Sequence, residues 1–231
     1  MPQIDLIIFD CDGVLVDSEY LVAKIGSQLL KQAGYEISPA ELSERYAGLI
    51  FVDILKKIEQ ETGKPISAHL IDKVSDLFRA QMKTELHAIH GIRKAIETVK
   101  SHYPYCICSN SRSADIKQML ITVNLYDLFD NKIFSALEVG TQKPKPAPDV
   151  FLFAAKESSA QPMNTIVIED SIHGVKAATS AGMRVIGFTG GSHSYLGHSN
   201  ALADAGAETV ISKHAHLPEV LKAMAIWQDL P

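Results

Sequence analysis

Short apolar runs recur along the chain, and each of them ends at polar residues. Four runs cover residues 4–9, 105–108, 165–168 and 184–188. Because a strand buried on both faces of a parallel sheet carries apolar side chains almost continuously, each run predicts such a strand. A weaker run over residues 208–211 predicts a further strand at the edge of the sheet.

Segments with the apolar spacing of a helix separate these runs. They cover residues 91–101, 114–123, 148–158 and 172–181, and a last helix is predicted over about 218–227. Strand and helix therefore alternate, which is the pattern of βαβ units. We predict a doubly wound, Rossmann-like α/β core built on a parallel sheet.

The stretch over residues 18–85 breaks this alternation. Its apolar residues keep helical spacing, as in Leu21 and Ile25, and turn residues divide it into four predicted helices. Since the sheet resumes afterwards, the two ends of the stretch must return to the same place. We predict an inserted all-α helical cap domain over 18–85 and an α/β core domain formed by 1–17 and 86–231.

The composition and charge favour a folded protein with a small-molecule partner. Hydrophobic residues make up 46% of the 231 residues, and the net charge of −5 gives no basic field to attract nucleic acid or an anionic membrane. Three cysteines, an odd number, do not form a disulfide framework. No leader and no apolar run of about 18 residues opens the chain. We expect a cytoplasmic protein that binds neither nucleic acid nor membrane, and the sequence leaves its oligomeric state open.

Polar residues with chemical function follow the predicted strands. Ligands of an open parallel sheet bind beyond the carboxyl ends of its strands, so we expect these residues to converge. Several carboxylates in one place repel one another unless a hard cation such as Mg²⁺ lies between them. A lysine and a hydroxyl next to that cation can hold phosphate oxygens. The set indicates phosphoryl transfer and consists of Asp10, Asp12, Ser109, Asn110, Lys145, Glu169 and Asp170.

Residues 10–19, Asp-Cys-Asp-Gly-Val-Leu-Val-Asp-Ser-Glu, resemble the first signature of the haloacid dehalogenase superfamily. The other three signatures follow in order, with Ser109 at the end of an apolar strand, the lysine motif over 145–151 and the acidic motif over 169–171. Four ordered motifs are far more specific than a single Asp-X-Asp pair. The helical insertion after the first motif resembles the cap of the phosphoglycolate phosphatase-like and β-phosphoglucomutase-like subgroup.

The resemblance implies a role for each motif residue. Asp10 would attack phosphorus and form an aspartyl phosphate, and Asp12 would protonate the leaving oxygen and then activate a water molecule. Ser109 and Lys145 would bind the phosphoryl oxygens. An acid at the position of Asp12 distinguishes the phosphatases and mutases of this superfamily from its dehalogenases.

The resemblance also implies a Mg²⁺ cofactor. Its ligands would be Asp10, the main-chain carbonyl of Asp12, Asp170, and Glu169 either directly or through water. Two alternatives stay open at this point. Glu169 could be solvated while Asp170 alone binds the metal, and Lys143 rather than Lys145 could be the active lysine.

Substrate specificity is expected to come from the cap, because the core motifs contact only the phosphoryl group. Gly48 and Phe51 belong to the cap loop that is expected to face the active site. Arg45 and Arg79 are basic candidates for holding an anionic end of the substrate. The predicted substrate-binding residues are Asn110 and Ser111 of the core and Arg45, Gly48, Phe51 and Arg79 of the cap.

The sequence favours a Mg²⁺-dependent phosphatase that hydrolyses a small phosphorylated metabolite, such as a sugar phosphate or a phosphoglycolate-like acid. Members resembling β-phosphoglucomutase carry an arginine in the cap loop and a cap histidine, where this chain has Phe51 and Val22. Hydrolysis is therefore favoured over a hexose-phosphate mutase. A phosphonatase would need a cap lysine, for which Lys56 and Lys57 are available. The insertion argues against a non-catalytic phospho-acceptor of receiver type.

The histidines show no metal-binding spacing. His193 and His198 lie in a Gly/Ser-rich stretch, and His214 and His216 follow the last predicted strand. Because no cysteine or acidic partner accompanies them at zinc-like spacing, we predict that these four lie at the surface. His173, close behind the acidic motif, is the candidate for the edge of the site.

Overall fold

A six-stranded parallel sheet forms the centre of the fold. The computed structural model describes residues 4–46, 49, 51–66, 69–129 and 132–226. The strands are β1 (Leu6–Phe9), β2 (Tyr105–Ser109), β3 (Ile133–Ser135), β4 (Thr165–Glu169), β5 (Arg184–Phe188) and β6 (Thr209–Ile211). Their order in the sheet is β3-β2-β1-β4-β5-β6, and every neighbouring pair is parallel.

Helices separate the strands in the predicted alternation. They are α1 (Ser18–Gln32), α2 (Pro39–Arg45), α3 (Phe51–Thr62), α4 (Leu70–Glu85), α5 (Ile92–Lys100), α6 (Ser113–Thr122), α7 (Tyr126–Phe129), α8 (Asp149–Glu157), α9 (Ile172–Ser180), α10 (His198–Ala205) and α11 (Leu217–Ile226). The predicted α/β class with a parallel sheet is confirmed. None of the described helices has the length and apolar character needed to cross a bilayer.

Three elements were not predicted from the pattern. Strand β3 has only three residues, two of them partly exposed, so it leaves no apolar run in the sequence. Helix α7 is a single short turn. Helix α10 begins at His198, inside a stretch whose Gly and Ser content indicated a loop.

Both faces of the sheet are covered, which explains the continuous apolar runs. In β1, Ile7 and Phe9 belong to one apolar cluster, and Leu6 and Ile8 belong to the other. Successive side chains of a strand point to opposite faces, so a strand covered on both sides needs apolar residues at every position. All four β1 side chains are accordingly buried.

Helices α1 to α4 form the insertion between β1 and β2. Helix α1 packs against α2 and α4, with Leu21, Ile25 and Leu29 buried at the predicted helical spacing. Ser38 accepts a hydrogen bond from the backbone N–H of Glu41 at 3.1 Å and so caps α2. These helices share one apolar cluster with a face of the sheet. Their separation from the core as a domain of their own stays a prediction.

The two chain segments that lead into and out of the insertion lie side by side. The N–H of Asp17 donates to the carbonyl of His87 at 3.0 Å, and the N–H of Ile89 donates to that of Leu15 at 3.0 Å. Val16 also forms a bridge with Ala88. The expectation that both ends of the insertion return to the same place is confirmed.

The direction in which strands are added to the sheet reverses at β1. From β1 the chain continues to β2 and β3 on one side and then crosses to β4, β5 and β6 on the other. Such a reversal opens a crevice beyond the carboxyl ends of the central strands, where open α/β sheets bind ligands. The residues that follow β1 and β4 therefore lie next to each other.

Candidate active site

The predicted chemical residues converge at this crevice. Asp10 directly follows β1, Ser109 ends β2, Glu169 ends β4 and Asp170 comes next. All four side chains are buried, as is that of Lys145 from the loop before α8. They line a cavity of about 760 Å³ that the α1–α4 insertion also helps to enclose.

Lys145 lies at the centre of the buried carboxylates. Its Nζ atom donates to Asp10 Oδ1 at 2.6 Å, to Glu169 Oε1 at 2.7 Å and to the carbonyl of Cys108 at 2.8 Å. Asn110 fixes the backbone beneath it, because the N–H of Lys145 donates to Asn110 Oδ1 at 2.8 Å. Lys143 is exposed and does not line the cavity among the described residues, so the fold brings Lys145 to the acidic cluster.

The buried charges around Lys145 interact strongly with one another. Burial raises the pKa of Asp10, Lys145 lowers it, and the carboxylates of Glu169 and Asp170 raise it further. Burial alone would lower the pKa of Lys145, but attraction to Asp10 and Glu169 raises it above its ordinary value. Lys145 is therefore protonated and offsets the negative charge of its neighbours.

Asp12 is held by hydroxyl groups instead of a cation. Ser18 donates to Asp12 Oδ1 at 2.6 Å, while Ser109 and Ser111 donate to Asp12 Oδ2 at 3.1 and 2.8 Å. The N–H of Ser111 in turn donates to Ser109 Oγ at 2.9 Å. Asp10 and Asp12 thus have different surroundings within one cavity, which is the arrangement that lets two carboxyl groups take different roles.

Glu169 uses both of its oxygens within the protein. Oε1 accepts from Lys145, and Oε2 accepts from the N–H and the hydroxyl of Ser171, each at 2.9 Å. Ser171 also caps α9 by accepting from the N–H of Gly174 at 3.0 Å. A Cβ atom at Gly174 would lie 1.7 Å from Glu169 Oε1, so the glycine leaves the space that this carboxylate occupies.

Asp170 is held by two histidines. His193 Nε2 lies 2.9 Å from Asp170 Oδ2, and His198 Nε2 donates to the main-chain carbonyl of Asp170 at 2.7 Å. Burial raises the pKa of Asp170, and His193 lowers it. Gly13 adopts φ +73°, and a Cβ atom there would lie 1.8 Å from Asp170 Oδ2, so a side chain at this position would displace the carboxylate.

Three carboxylates meet closely enough to hold a metal ion. One oxygen from each of Asp10, Glu169 and Asp170 lies within 4.8 Å of the others, and all three residues are buried. Oxygen ligands of this kind suit a hard divalent cation. Burial and mutual repulsion also raise the pKa of Asp10, and a cation among the carboxylates would relieve that repulsion. The residues present therefore fit a divalent metal.

The cap residues of the prediction do not all reach the cavity. Phe51 and Arg79 line it, as do Asn110 and Ser111 of the core. Arg45 does not; its guanidinium group pairs with Glu41 and Glu61 at 3.2 and 3.0 Å, away from the cavity lining. The expectation that Arg45 holds the substrate is therefore not supported. Gly48 lies outside the described residues.

The histidine prediction was wrong at two positions. His198 and His214 are buried, with 4% and 0% of their surface exposed, instead of lying at the surface. His193 and His198 line the cavity, and so does His173, as expected. The position of these histidines in the sequence could have revealed them. The loop that contains His193 follows the carboxyl end of β5, and the other site residues converge at this edge of the sheet.

Glu19 was also missed as a cavity residue. It lies in the first turn of α1, and its side chain is open to the cavity. The Asp-Ser-Glu end of the first motif placed it close to the site in sequence. A carboxylate in the first turn of a helix is common because it interacts favourably with the helix dipole, so this position alone gives no signal for a cavity residue.

Fold and site together define a hydrolase of phosphate esters built on a doubly wound sheet. The haloacid dehalogenase-like hydrolase family matches residues 7–188, and the chain belongs to this family. Its similarity to named phosphatases assigns it to the phosphoric monoester hydrolases within that family. The resemblance drawn from the four motifs is thereby confirmed.

The most informative relatives cover almost the whole chain. The 6-phosphogluconate phosphatase of Escherichia coli (strain K12) is 27% identical over 228 residues, which is 96% of this chain and 97% of that protein. A haloacid dehalogenase-like protein of unknown function from Agrobacterium tumefaciens str. C58 is 48% identical, with a TM-score of 0.92 over 96% of this chain and 99% of that one. A family hydrolase from Deinococcus radiodurans R1, with bound phosphate and sodium, is 29% identical with a TM-score of 0.85 over 97% of each chain.

Proposed function

We propose that this protein is a Mg²⁺-dependent phosphatase that hydrolyses a small phosphorylated metabolite, most plainly a sugar phosphate, through an aspartyl phosphate on Asp10. One observation carries the proposal. Two carboxylates that follow β1 share a cavity, but Asp10 contacts Lys145 at 2.6 Å whereas Asp12 is held by three serine hydroxyls. This difference suits a nucleophile and a general acid, respectively.

The reaction would proceed in two displacements. Asp10 attacks phosphorus, the bond to the leaving oxygen breaks, and Asp12 gives that oxygen its proton. Asp12 then removes a proton from a water molecule, whose oxygen attacks the phosphorus of the aspartyl phosphate. Inorganic phosphate leaves and the Asp10 carboxylate is restored. Each step is an in-line displacement that the fixed positions of Asp10 and Asp12 favour.

The phosphoryl oxygens would be bound by Lys145, Ser109 and Ser111. Lys145 supplies a buried positive charge, and each serine supplies a hydroxyl close to Asp12. In a cavity with little water, such fixed donors stabilise the developing charge of the transition state strongly. Asn110 would act through Lys145, whose backbone it holds.

Asp10, Glu169 and Asp170 would hold the Mg²⁺ ion, together with the main-chain carbonyl of Asp12. The ion supplies positive charge that neutralises the transferring phosphoryl group. Glu169 already accepts hydrogen bonds from Lys145 and Ser171. These contacts are compatible with direct coordination of the metal by Glu169 and with a contact through a water molecule. Asp170 is oriented by His193 and His198.

The cavity favours hydrolysis over the alternatives. Val22 and Phe51 line it as apolar groups where mutase-like members would carry a histidine and an arginine. Lys56 pairs with Asp53 and Lys57 lies 5.8 Å from the ring of Tyr46. Neither lysine lines the described cavity, so the structure offers no support for a phosphonatase. A non-catalytic phospho-acceptor would not need an insertion such as α1–α4, whose residues line the cavity.

Phosphate release from a panel of phosphomonoesters tests the proposal. Wild-type protein and the Asp10→Asn variant are compared in Mg²⁺ and in EDTA, with Asp204→Asn, an exposed carboxyl outside the cavity lining, as the matched control. We expect release that needs Mg²⁺, is abolished by Asp10→Asn and is retained by Asp204→Asn. Full activity of Asp10→Asn would overturn the assignment, and isomerisation of β-glucose 1-phosphate faster than phosphate release would favour the mutase.

A further inference from the structure

The part of the cavity beyond the phosphoryl-binding groups is formed by helices. We call the cavity residues contributed by α1, α2, α3, α4 and α6 the outer lining. Most of them are apolar, including Val22, Phe51, Phe78 and Met119. The leaving group of a bound phosphomonoester must lie against this outer lining, because the core groups surround only the phosphoryl end.

The charged members of the outer lining are mainly acidic. Three are carboxylates, Glu19, Asp53 and Asp115, and one is a cation, Arg79. The residues outside the described ranges contain no Lys, Arg or His, so they add no cation to the cavity. The outer lining therefore carries an excess of negative charge.

The one cation is poorly placed to bind an anion. Arg79 lies 3.5 Å from Asp76, its own helix neighbour, and 66% of its side chain is exposed to solvent. An exposed guanidinium group with an acidic neighbour attracts a further anion only weakly. Arg79 therefore offsets only part of the negative charge of the outer lining, and its role in holding an anionic end of the substrate stays a prediction.

The carboxylates, in contrast, are available to a ligand. Asp53 pairs with Lys56 at 3.0 Å, but within the described ranges Glu19 and Asp115 have no hydrogen-bond or ion-pair partner. Desolvation by the cavity wall and repulsion from Asp12 and Asp170 raise the pKa of Glu19 to about 7. Glu19 is therefore mostly ionised only above about pH 7, where it and Asp115 would both repel a further negative charge brought into the cavity.

We propose that the substrate is a phosphomonoester whose leaving group is an uncharged polyol or sugar, and that Glu19 and Asp115 select against a leaving group with a carboxylate or a second phosphate. The inference rests on the proposed function and narrows it. A carboxylate accepts hydrogen bonds from hydroxyl groups, so the same residues that repel an anion can bind a polyol. The preference would differ from that named for the Escherichia coli relative, 6-phosphogluconate phosphatase.

Three six-carbon monophosphates that differ in the oxidation state of carbon 1 test this inference. Sorbitol 6-phosphate and 6-phosphogluconate are open chains that end in a hydroxymethyl group and a carboxylate, and glucose 6-phosphate is an uncharged ring closed at carbon 1. We expect kcat/KM for sorbitol 6-phosphate to exceed that for 6-phosphogluconate by about tenfold or more, since like charges brought together cost binding energy. An equal or higher value for 6-phosphogluconate would overturn the inference.

Variants identify the residues responsible. Glu19→Gln and Asp115→Asn should each reduce the ratio between the two substrates, whereas Glu157→Gln, an exposed residue of α8 outside the cavity lining, should leave it unchanged. Because the ratio is taken within one protein, a loss of folded enzyme cancels. An unchanged ratio in both cavity variants would refute their role in selection.

Failure of the inference can be told apart from failure of the proposed function. Fast release of phosphate from 6-phosphogluconate that needs Asp10 would overturn the inference alone. Absence of release from all three compounds and from p-nitrophenyl phosphate would overturn the proposed function. Calorimetric titration of Asp10→Asn with sorbitol 6-phosphate and 6-phosphogluconate still decides the inference in that case, because it measures the preference without turnover.

Discussion

The ammonium group of Lys145 lies 2.6 Å from the Oδ1 atom of Asp10, and both side chains are buried. Burial raises the pKa of Asp10, and the ammonium group opposes that rise. Lys145 therefore favours the ionised form of Asp10, which is the form that a nucleophile needs. The same nitrogen also contacts Glu169 at 2.7 Å, so a single cation holds two carboxylates of the acidic cluster in place.

Replacing Lys145 by methionine tests this relationship. The variant keeps the length of the side chain and removes its charge, so Asp10 and Glu169 lose their shared partner. We expect phosphatase turnover to fall by about 10²–10³-fold. In EDTA, which keeps metal out of the site, the free energy of unfolding should fall by about 3 kcal/mol, because two carboxylates are left buried without a cation. Steady-state kinetics and urea unfolding measure the two effects.

The matched control for this substitution is Lys143→Met. Lys143 lies two positions earlier and is exposed, so its replacement should change neither turnover nor stability by a measurable amount. If Lys143→Met abolished activity and Lys145→Met retained it, Lys143 rather than Lys145 would be the active lysine.

Asp12→Asn separates the general acid from the nucleophile. Asparagine preserves the size of the side chain and can still accept from Ser18 or Ser111, so the fold should be retained. We expect turnover of a sugar phosphate to fall by about 10²–10⁴-fold, because its alkoxide leaving group needs a proton. Release from p-nitrophenyl phosphate, whose leaving group is stable as an anion, should fall much less in a burst-phase measurement of the first step.

The leaving-group comparison makes this prediction specific. A purely structural effect of Asp12→Asn would slow the first step for both substrates by the same factor. Equal losses would therefore count against Asp12 as the acid that protonates the leaving oxygen, whatever their size.

The contact of His193 with Asp170 predicts an effect on metal binding. The 2.9 Å contact from His193 Nε2 helps to orient a carboxylate of the acidic cluster. Groups that orient a metal ligand affect metal affinity by about 10–100-fold when they are removed. We expect His193→Leu to weaken Mg²⁺ binding by an amount in this range in a calorimetric titration without substrate.

Glutamine at the same position provides the control. The Nε2 atom of glutamine can replace that of the imidazole ring as a donor, so His193→Gln should restore most of the Mg²⁺ affinity lost in His193→Leu. Unaltered Mg²⁺ binding in the leucine variant would show that His193 does not position Asp170.

The sequence revealed those parts of the site that directly follow a strand. Asp10, Glu169 and Asp170 come immediately after apolar runs, and parallel strands bring their carboxyl ends together. Lys145 was found through its motif, and the structure adds what no motif shows, namely that one ammonium group contacts two carboxylates.

The parts that sequence reasoning missed depend on contacts between distant segments. His198 bonds to Asp170 across 28 positions, and no local pattern records that pair. Arg45 was expected to face the substrate, but Glu61, sixteen positions further along, draws its side chain away. Helix packing decides such partners, and apolar spacing indicates only which face of a helix is buried.

His214 predicts how stability depends on pH. Its ring is fully buried, stacks on Phe188 at 4.1 Å and donates from Nε2 to the carbonyl of Val14 at 2.8 Å. Burial lowers its pKa to about 4, whereas in the unfolded chain it titrates at about 6.5. The unfolded state thus binds a proton between these values and the folded state does not, so the stability that neutral His214 contributes is lost as pH falls from about 6.5 to 4.

His214→Gln removes this titration and can keep the hydrogen bond to Val14, because the glutamine amide also donates. Wild-type protein should lose about 3 kcal/mol of unfolding free energy from this residue over that pH interval, and the variant should show a correspondingly smaller decrease. Urea unfolding at pH 7, 5.5 and 4 in the presence of EDTA, which keeps the metal site in one state, measures the difference. Parallel pH curves for the two proteins would mean that His214 titrates in the folded state near its ordinary pKa, and would contradict its burial as a neutral ring.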